Sequence, residues 1–286
     1  MTTGDNRAED ASVQPPVVYA AGSRSWRRAF GDLAQGWRQR PLWGYLGWQD
    51  IKQRYRRSVL GPLWISISMG VIATAMGILY GALFGEEITT FLPYVATGLL
   101  IWNFVNGCIL EGSEVFIANE GLIKFLPAPL SLHIYRLVWR QTLFFAHNLV
   151  VWVILMIVFP QPLGWSLLLA IPAFVVLVIN GAWIAVLTGI IATRFRDIPP
   201  IIASLANLLF FMTPIVWSYE RLRTNPLAAY IELNPVMHFV EIIRQPMLGL
   251  PIMGRHWAVV GIITVVGCLA ALVCLRNYRS RVAYWV

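Results

Sequence analysis

Lysine is scarce in this sequence, and its positions decide whether the chain can hydrolyse ATP through a P-loop. Such a loop holds nucleotide phosphates with backbone N–H groups and with the lysine of a Gly-Lys-Ser/Thr sequence. The two lysines, Lys52 and Lys124, each follow an isoleucine. The sequence therefore excludes a Walker-type ATPase within this chain.

Histidines and carboxylates form no pattern typical of an active site or a metal centre. His133, His238 and His256 have no carboxylate at metal-ligand or general-base spacing. His147 lies inside an apolar stretch, where a proton relay is one interpretation and a hydrogen-bonded role in helix packing is the favoured one. We therefore expect no catalytic residue, no metal and no cofactor in this chain.

The composition indicates that the elements positioning these residues fold in lipid. Hydrophobic residues make up 58% of the chain and charged ones 13%, with a mean hydropathy of +0.64, whereas a soluble domain carries about 25% charged residues. Six stretches free of Asp, Glu, Lys and Arg are long enough to cross a bilayer. They are 62–84, 91–110, 141–160, 163–193, 198–219 and 257–275. The net charge of +8 then favours anionic lipid headgroups over nucleic acid as the partner.

Basic residues are unequally divided between the two sides of these stretches. Most of the 22 fall on one side, which the positive-inside rule makes cytoplasmic together with both termini of a multi-pass plasma or inner membrane protein. Glu111 and Glu114 follow the second stretch near that side, where we expect them to pair with arginines rather than to carry substrate. The four basic residues on the external side are Arg221, Arg223, Arg244 and Arg255.

The chain is expected to contain four segments. Trp48, Ile51, Tyr55 and Val59 recur at steps of three and four residues among charged ones, which predicts an amphipathic helix in the cytosolic interface. The predicted segments are a flexible cytosolic tail (1–40), this interfacial helix (41–61), a six-helix transmembrane domain (62–276) and a cytosolic C-terminal tail (277–286).

Residues 220–256 are too long for a turn and too polar for another span. Pro226, Pro235, Pro246 and Pro251 interrupt their apolar runs. Two half-helices that enter the outer leaflet and return would explain the pattern, and an amphipathic hairpin lying on the outer surface is the alternative. The predicted fold is an all-α integral membrane protein of six transmembrane helices, with an N-terminal interfacial helix and re-entrant half-helices between helices 5 and 6.

Four stretches together resemble the permease subunits of ABC exporters for polysaccharides, the O-antigen and teichoic acid exporter family often called Wzm or TagG. The first is 50–64 (DIKQRYRRSVLGPLW), which is similar to the amphipathic entry of that family. The second is 119–124 (NEGLIK) with Pro127 and Pro129, similar to its cytosolic gate and coupling segment. The resemblance covers about residues 45 to 280, and the tail before it is longer than the family pattern.

The other two stretches lie in the second half of the chain. Residues 194–198 (RFRDI) and 211–215 (FMTPI) are similar to the family's fourth loop and fifth span. Asn234-Pro235, with Arg244 and Leu248-Gly249, is similar to its external re-entrant helices. Among family members the chain looks most like the actinobacterial galactan exporters.

The resemblance implies a homodimer that acts with two copies of a separate nucleotide-binding subunit, on which ATP and Mg are bound. It implies a polysaccharide on a polyprenyl diphosphate as cargo. Two other functions stay open from the residues alone. One is an ATP-independent carrier or channel for small solutes, although the apolar stretches contain no carboxylate that could couple transport to an ion. The other is a membrane-embedded glycan-modifying enzyme, although the sequence offers no catalytic acid or base for it.

Three sets of residues are the candidates for handling cargo and coupling. Arg54, Arg56 and Arg57 are placed to bind the lipid diphosphate, and ordinary positive-inside anchoring is an equal alternative. The gate and coupling candidates are Asn119, Glu120, Lys124, Pro127, Arg194, Arg196 and Asp197, of which the last three would alternatively form only an internal cap of the fourth helix. The re-entrant candidates are Asn234, Pro235 and Arg244.

Aromatic side chains within the spans form a further set. Sugar C–H faces stack on aromatic rings, so these residues are candidates to line a glycan channel, although lipid contact or core packing is the favoured role for any single one. They are Trp64, Tyr80, Phe84, Trp102, Phe104, Phe210, Phe211 and Trp217.

Overall fold

Helices make up almost all of the structure. The computed structural model describes residues 25–126, 128–222, 224–226 and 228–286, and over these ranges it contains helices and no strand. The helices are α1 (Trp26–Arg38), α2 (Arg40–Arg54), α3 (Leu63–Phe84), α4 (Ile88–Glu114), α5 (Glu120–Phe125), α6 (Leu130–Val158), α7 (Ala170–Arg194), α8 (Ile198–Met212), α9 (Ala228–Glu232), α10 (Pro235–Met247) and α11 (Gly254–Trp285).

Five helices are long and apolar enough to cross a membrane. These are α3, α4, α6, α7 with the 3-10 turn Trp165–Leu169 before it, and α11, which have between 22 and 32 residues. A helix needs about 20 apolar residues to cross a hydrocarbon core of about 30 Å. Five of the six predicted spans are therefore present as long helices, and the chain is a multi-pass membrane protein.

The fifth predicted span differs from the structure. Residues 198–219 were expected to be one helix, but α8 ends at Met212 after 15 residues, which is about 22 Å of helix. Pro214 has no N–H to continue the ladder, and it holds the preceding Thr213 in an extended conformation with φ −93° and ψ 136°. The chain is irregular from Thr213 to the 3-10 turn Tyr219–Leu222.

The boundaries of both predicted tails also differ from the structure. Within the segment 1–40, α1 is a regular helix that packs on α6 and α11 through the face that carries the buried Ala29, Asp32 and Gly36. Residues 1–24 lie outside the described residues. The predicted interfacial helix is α2, which stops at Arg54 before a series of turns in which Gly61 has φ +55°. The predicted C-terminal tail, 277–286, is instead the continuation of α11 as far as Trp285.

The central helix of the bundle is α4, which contacts α3, α6, α7, α8 and α10. Small residues let the other helices approach it closely, as is usual where there is no hydrophobic force between helices in lipid. A methyl group added at Gly77 would meet Leu92, and one added at Gly112 would meet the backbone of Ala185. The core therefore surrounds α4, with α3 and α8 at its margins.

Asp32 attaches α1 to two distant helices. Its carboxylate accepts hydrogen bonds from the backbone N–H groups of Leu130 (3.1 Å) and Ser131 (2.9 Å), which open α6. The same carboxylate lies 2.9 Å from Nε of Arg279 near the end of α11. A residue of α1 thus serves as the N-terminal cap of α6, whose own Pro129 provides no side-chain cap.

Candidate functional site

Five charged residues form a network where α2, α4 and α6 meet, and we call them the Asp50 cluster: Asp50, Arg54, Glu111, Arg136 and Arg140. Arg136 donates from Nε to Asp50 Oδ2 at 2.9 Å, and Arg140 bonds both Asp50 and Glu111. Arg54 Nη2 lies 3.6 Å from Glu111 Oε1. The expectation that Glu111 pairs with arginines is confirmed, whereas Glu114 is exposed.

The Asp50 cluster keeps its central carboxylate ionised. Partial burial of Asp50 opposes its charge, but the hydrogen bonds and positive charges of Arg136 and Arg140 outweigh that effect and lower the pKa of Asp50. Two carboxylates thus share three guanidinium groups. The cluster aligns α2, α4 and α6 by several ion pairs, so it does not depend on any one of them.

The three arginines predicted to bind the diphosphate are not equivalent. Arg54 belongs to the Asp50 cluster, and its guanidinium also lies 5.4 Å from the centre of the Phe144 ring. Arg56 and Arg57 follow the end of α2 and are exposed. The structure therefore places Arg54 against the helix bundle and leaves the other two in the turn beside it.

The predicted gate segment is α5 with Asn119 before it. Asn119 donates from Nδ2 to the carbonyl of Val115 at 2.7 Å and accepts a long hydrogen bond of 3.5 Å from Arg136, which connects the gate segment to the Asp50 cluster. Lys124 lies 2.6 Å from Glu120, and its hydrogen bond and charge lower the pKa of Glu120, as does the charge of Arg196. Pro127 lies outside the described residues.

The remaining gate candidates surround the turn between α7 and α8. Arg194 lies in the last turn of α7, where a cation favours the helix dipole, and its guanidinium is 5.3 Å from the Trp285 ring centre. Arg196 and Asp197 are exposed. The charge of Arg196 acts on Glu120, so the structure brings this turn to the same face of the molecule as α5.

Another arginine, Arg244, is buried next to the irregular chain that follows α8. We call this residue and its neighbours the Arg244 centre: Arg244, Glu241, Tyr94, Pro214 and Gly98. Arg244 is 0% exposed, so an arginine counted on the external side of the membrane is enclosed by protein. Its Nη1 donates to the carbonyl of Pro214 at 2.7 Å and to Glu241 Oε1 at 2.8 Å. The Tyr94 ring centre lies 3.9 Å from the guanidinium carbon, and Gly98 leaves room for Nη2.

The other re-entrant candidates also contact the break in α8. Asn234 caps α10 by accepting a hydrogen bond from the N–H of Val236, and its Nδ2 donates to Thr213 Oγ1 at 2.8 Å. Pro235 occupies the first position of α10, where a missing N–H costs nothing. Both residues therefore secure α10 beside the irregular chain that follows Met212.

The aromatic candidates divide into three groups. Trp102, Phe210, Phe211 and Trp217 surround the end of α8, where the Trp102 and Phe210 ring centres are 5.5 Å apart and Trp217 donates to the carbonyl of Phe211.

Tyr80 and Phe84 stack at the end of α3, and Trp64 is exposed at its start. Phe104 lies in the core against Phe145 and Phe174, so packing rather than channel lining describes it.

Several residues that organise these sites were not predicted. Asp32 and Tyr94 act through contacts that no local spacing reveals. Glu241 lies three residues before Arg244, and this helical spacing was a usable signal for the buried pair. His238 and His256, which seemed isolated in sequence, approach each other with their Nδ1 atoms 2.7 Å apart.

A comparison with known families matches residues 41–248 to the ABC-2 type transporter family. The chain belongs to that family. ABC-2 proteins of this kind are transport subunits in the membrane that lack an ATPase domain of their own and work with a partner ATPase subunit. The match extends from α2 through α10, so it contains both the Asp50 cluster and the Arg244 centre.

Among individual proteins, this ABC-2 chain is similar to three O-antigen export system permease proteins named RfbA, two of Klebsiella pneumoniae and one of Myxococcus xanthus. One of those of Klebsiella pneumoniae is 24% identical over 192 residues, which are 64% of this chain and 74% of the relative. That of Myxococcus xanthus is 24% identical over 193 residues, which are 66% of this chain and 73% of the relative.

Proposed function

We propose that this chain is the channel-forming subunit of an ATP-driven exporter that moves a polysaccharide linked to polyprenyl diphosphate from the cytosol across the plasma membrane. The observation that carries the proposal is the similarity to O-antigen export permeases over most of an ABC-2 domain. The cargo would be of the O-antigen, teichoic acid or galactan type. Because the chain has no P-loop, the energy must come from a partner subunit.

The proposed assembly is a homodimer of this chain above two copies of a nucleotide-binding subunit that binds ATP and Mg. Both termini are cytoplasmic in this arrangement. The chain then crosses the membrane six times, with α8 and the irregular residues after it as the fifth crossing and with α9 and α10 as the re-entrant pair. Irregular backbone at membrane depth must be shielded by protein, and the burial of α10 together with the Arg244 centre supports this topology.

The coupling route is proposed to begin at α5. The segment is short, it exposes Lys124 and part of Glu120, and it is connected through Asn119 to Arg136 of the Asp50 cluster. A push on α5 by the partner would therefore reach α2, α4 and α6 together. The C-terminal end of α2 carries Arg54, and Arg56 and Arg57 follow it directly. Their guanidinium groups can donate paired hydrogen bonds to the oxygens of a diphosphate.

The test is the distribution of lipid-linked glycan between the two leaflets in cells that lack this chain. We expect glycan to accumulate in the inner leaflet and to reach the outer leaflet again when the gene is restored. Purification of the restored protein should also recover a subunit with a P-loop. Unchanged glycan on the outer leaflet would refute export by this chain.

The arginine set is tested by replacing Arg54, Arg56 and Arg57 together with glutamine. Export should be lost because the diphosphate no longer has guanidinium groups to bind. Assembly with the partner should persist because these side chains lie at an exposed end of α2. Normal export by the triple variant would assign these arginines to anchoring alone.

A further inference from the structure

A cleft lined by both polar and apolar side chains opens among the helices beside the Asp50 cluster. It has a volume of about 250 Å³ and is lined by residues of α3, α4 and α6. Arg54 stands at one end, and Gln141, Asn148 and Asn103 line the interior together with Phe144. A cavity of this size accepts a small polar group rather than a single water molecule, whose share of liquid volume is about 30 Å³.

Two amides of the cleft have unused hydrogen-bonding atoms. Gln141 is 3% exposed and Asn148 is 4% exposed, yet Nε2 of the first and Oδ1 of the second have no partner among the described residues. Buried polar atoms are nearly always paired, and leaving one unpaired costs about 1–3 kcal/mol. The cleft therefore has an unsatisfied donor and an unsatisfied acceptor on one wall, about 10 Å apart along α6.

The cation at the end of the cleft is only partly neutralised. Arg54 is more than half exposed, and its nearest carboxylate oxygen, on Glu111, is 3.6 Å away. Glu111 is already bonded to Arg140. Arg54 therefore keeps donors for an additional anion, and Phe144 beside it offers an apolar ring face.

We propose that this cleft binds a glycosyl phosphate, with the phosphate on Arg54 and the sugar hydroxyls on Gln141 and Asn148. A hydroxyl group both donates and accepts, so a sugar satisfies the free donor and the free acceptor at once. The ester groups of a phospholipid only accept, which leaves Asn148 Oδ1 unpaired. The inference rests on the proposed function, and it names the reducing-end sugar of the cargo as the part that the cleft recognises.

Binding to the purified full-length chain in phosphatidylcholine nanodiscs tests this assignment. The probes are farnesyl diphosphate carrying one glucose and farnesyl diphosphate without sugar. The sugar gains two hydrogen bonds worth about 1 kcal/mol each, so the wild type should prefer the sugar-bearing probe by about thirtyfold. Gln141→Met and Asn148→Leu should each remove most of that preference, whereas Arg54→Gln should weaken both probes equally.

A matched control is Asn207→Leu, which removes an exposed amide from α8 outside the cleft and should preserve the preference. Gln141→Met and Asn148→Leu should unfold at the same temperature as the wild type or higher, because each removes an unpaired buried polar group. Equal affinity of the wild type for both probes would overturn the inference. So would a preference that survives in Gln141→Met and Asn148→Leu.

A competition experiment with phospholipid distinguishes a glycosyl phosphate from a lipid headgroup as the source of the bound phosphate. Nanodiscs rich in phosphatidic acid, whose headgroup carries a phosphate and no alcohol, should not displace the sugar-bearing probe, and full displacement would show a general phospholipid site instead. The outcome is independent of the leaflet experiment. If export depends on this chain but the wild type shows no sugar preference, only the assignment of the cleft is rejected. If the glycan distribution is normal in cells without the chain, the proposed function itself is rejected.

Discussion

The Asp50 cluster and the Arg244 centre are both built on arginine, but they solve different problems. In the Asp50 cluster two carboxylates share three guanidinium groups, and water reaches several of them. In the Arg244 centre one fully buried guanidinium holds one carboxylate, one backbone carbonyl and one ring. The first joins regular helices to one another, and the second replaces a missing helical hydrogen bond at Pro214.

A single residue should matter more in the Arg244 centre than in the Asp50 cluster. Redundant ion pairs at a hydrated boundary lose little when one member is removed, since the others and water compensate. An irregular backbone away from water has no substitute donor.

Replacing Arg244 with leucine should have the largest effect. The change removes the cation beside the largely buried Glu241 and leaves the Pro214 carbonyl without its donor, so the free energy of unfolding should fall by about 3 kcal/mol. Denaturant titration of the purified protein measures it. Adding Glu241→Met should recover part of the loss, because the uncompensated charge is then gone. No recovery would show that shape rather than charge holds the centre together.

Replacing Asp50 with asparagine should be less severe. It weakens hydrogen bonds to Arg136 and Arg140, which are worth about 2 kcal/mol together, while Glu111 still holds Arg140.

Because the pKa of Asp50 is lowered on folding, its contribution is present above the ordinary Asp value of about 4 and is lost as pH falls through the folded pKa. The stability difference between wild type and Asp50→Asn should therefore vanish in strong acid. A difference that does not change with pH would contradict the role of its charge.

Replacing Gly98 with alanine should disturb the Arg244 centre from the side of α4. The new methyl group would lie within contact distance of Arg244 Nη2, and that side chain is fixed by Glu241, Pro214 and Tyr94. We expect a loss of about 2 kcal/mol from overpacking.

Gly70→Ala is the control for the Gly98 substitution, since the nearest atom there is 3.6 Å away on Val151. It should be neutral or stabilising by up to about 1 kcal/mol. Equal effects of the two substitutions would mean that the Arg244 centre is looser than its contacts indicate.

Replacing Arg255 with leucine should have the smallest effect. Arg255 lies 2.8 Å from Glu232, but both side chains are well exposed. An ion pair of this kind contributes less than about 1 kcal/mol. A larger loss of unfolding free energy would show that exposure is a poor guide to the weight of an arginine in this protein.

The long spans could be predicted because a run of about 20 apolar residues has few other uses. The end of α8 was harder to predict, because proline is tolerated within membrane helices when neighbouring groups satisfy the backbone hydrogen bonds. Thr213-Pro214 was visible in the sequence, but the neighbours that stabilise a break there, Tyr94, Asn234 and Arg244, are distant along the chain.

The candidate site was predicted in part for a similar reason. Charge counting placed the arginines near α2 and α6 at one boundary, and the structure gathers them around Asp50. The same counting treats every arginine as accessible to water, so it could not assign Arg244 to the interior. Gln141 and Asn148 carry no formal charge and fall within an apolar run, which hides them from hydropathy averages.

The cap that Asp32 provides for α6 has a consequence for biogenesis. Asp32 leaves the ribosome well before Leu130, and Arg279, its second partner, leaves far later. The joint between α1, α6 and α11 is therefore completed only after the last long helix has been inserted. Until then Asp32 can cap the first turn of α6, but its buried carboxylate lacks the arginine that balances its charge.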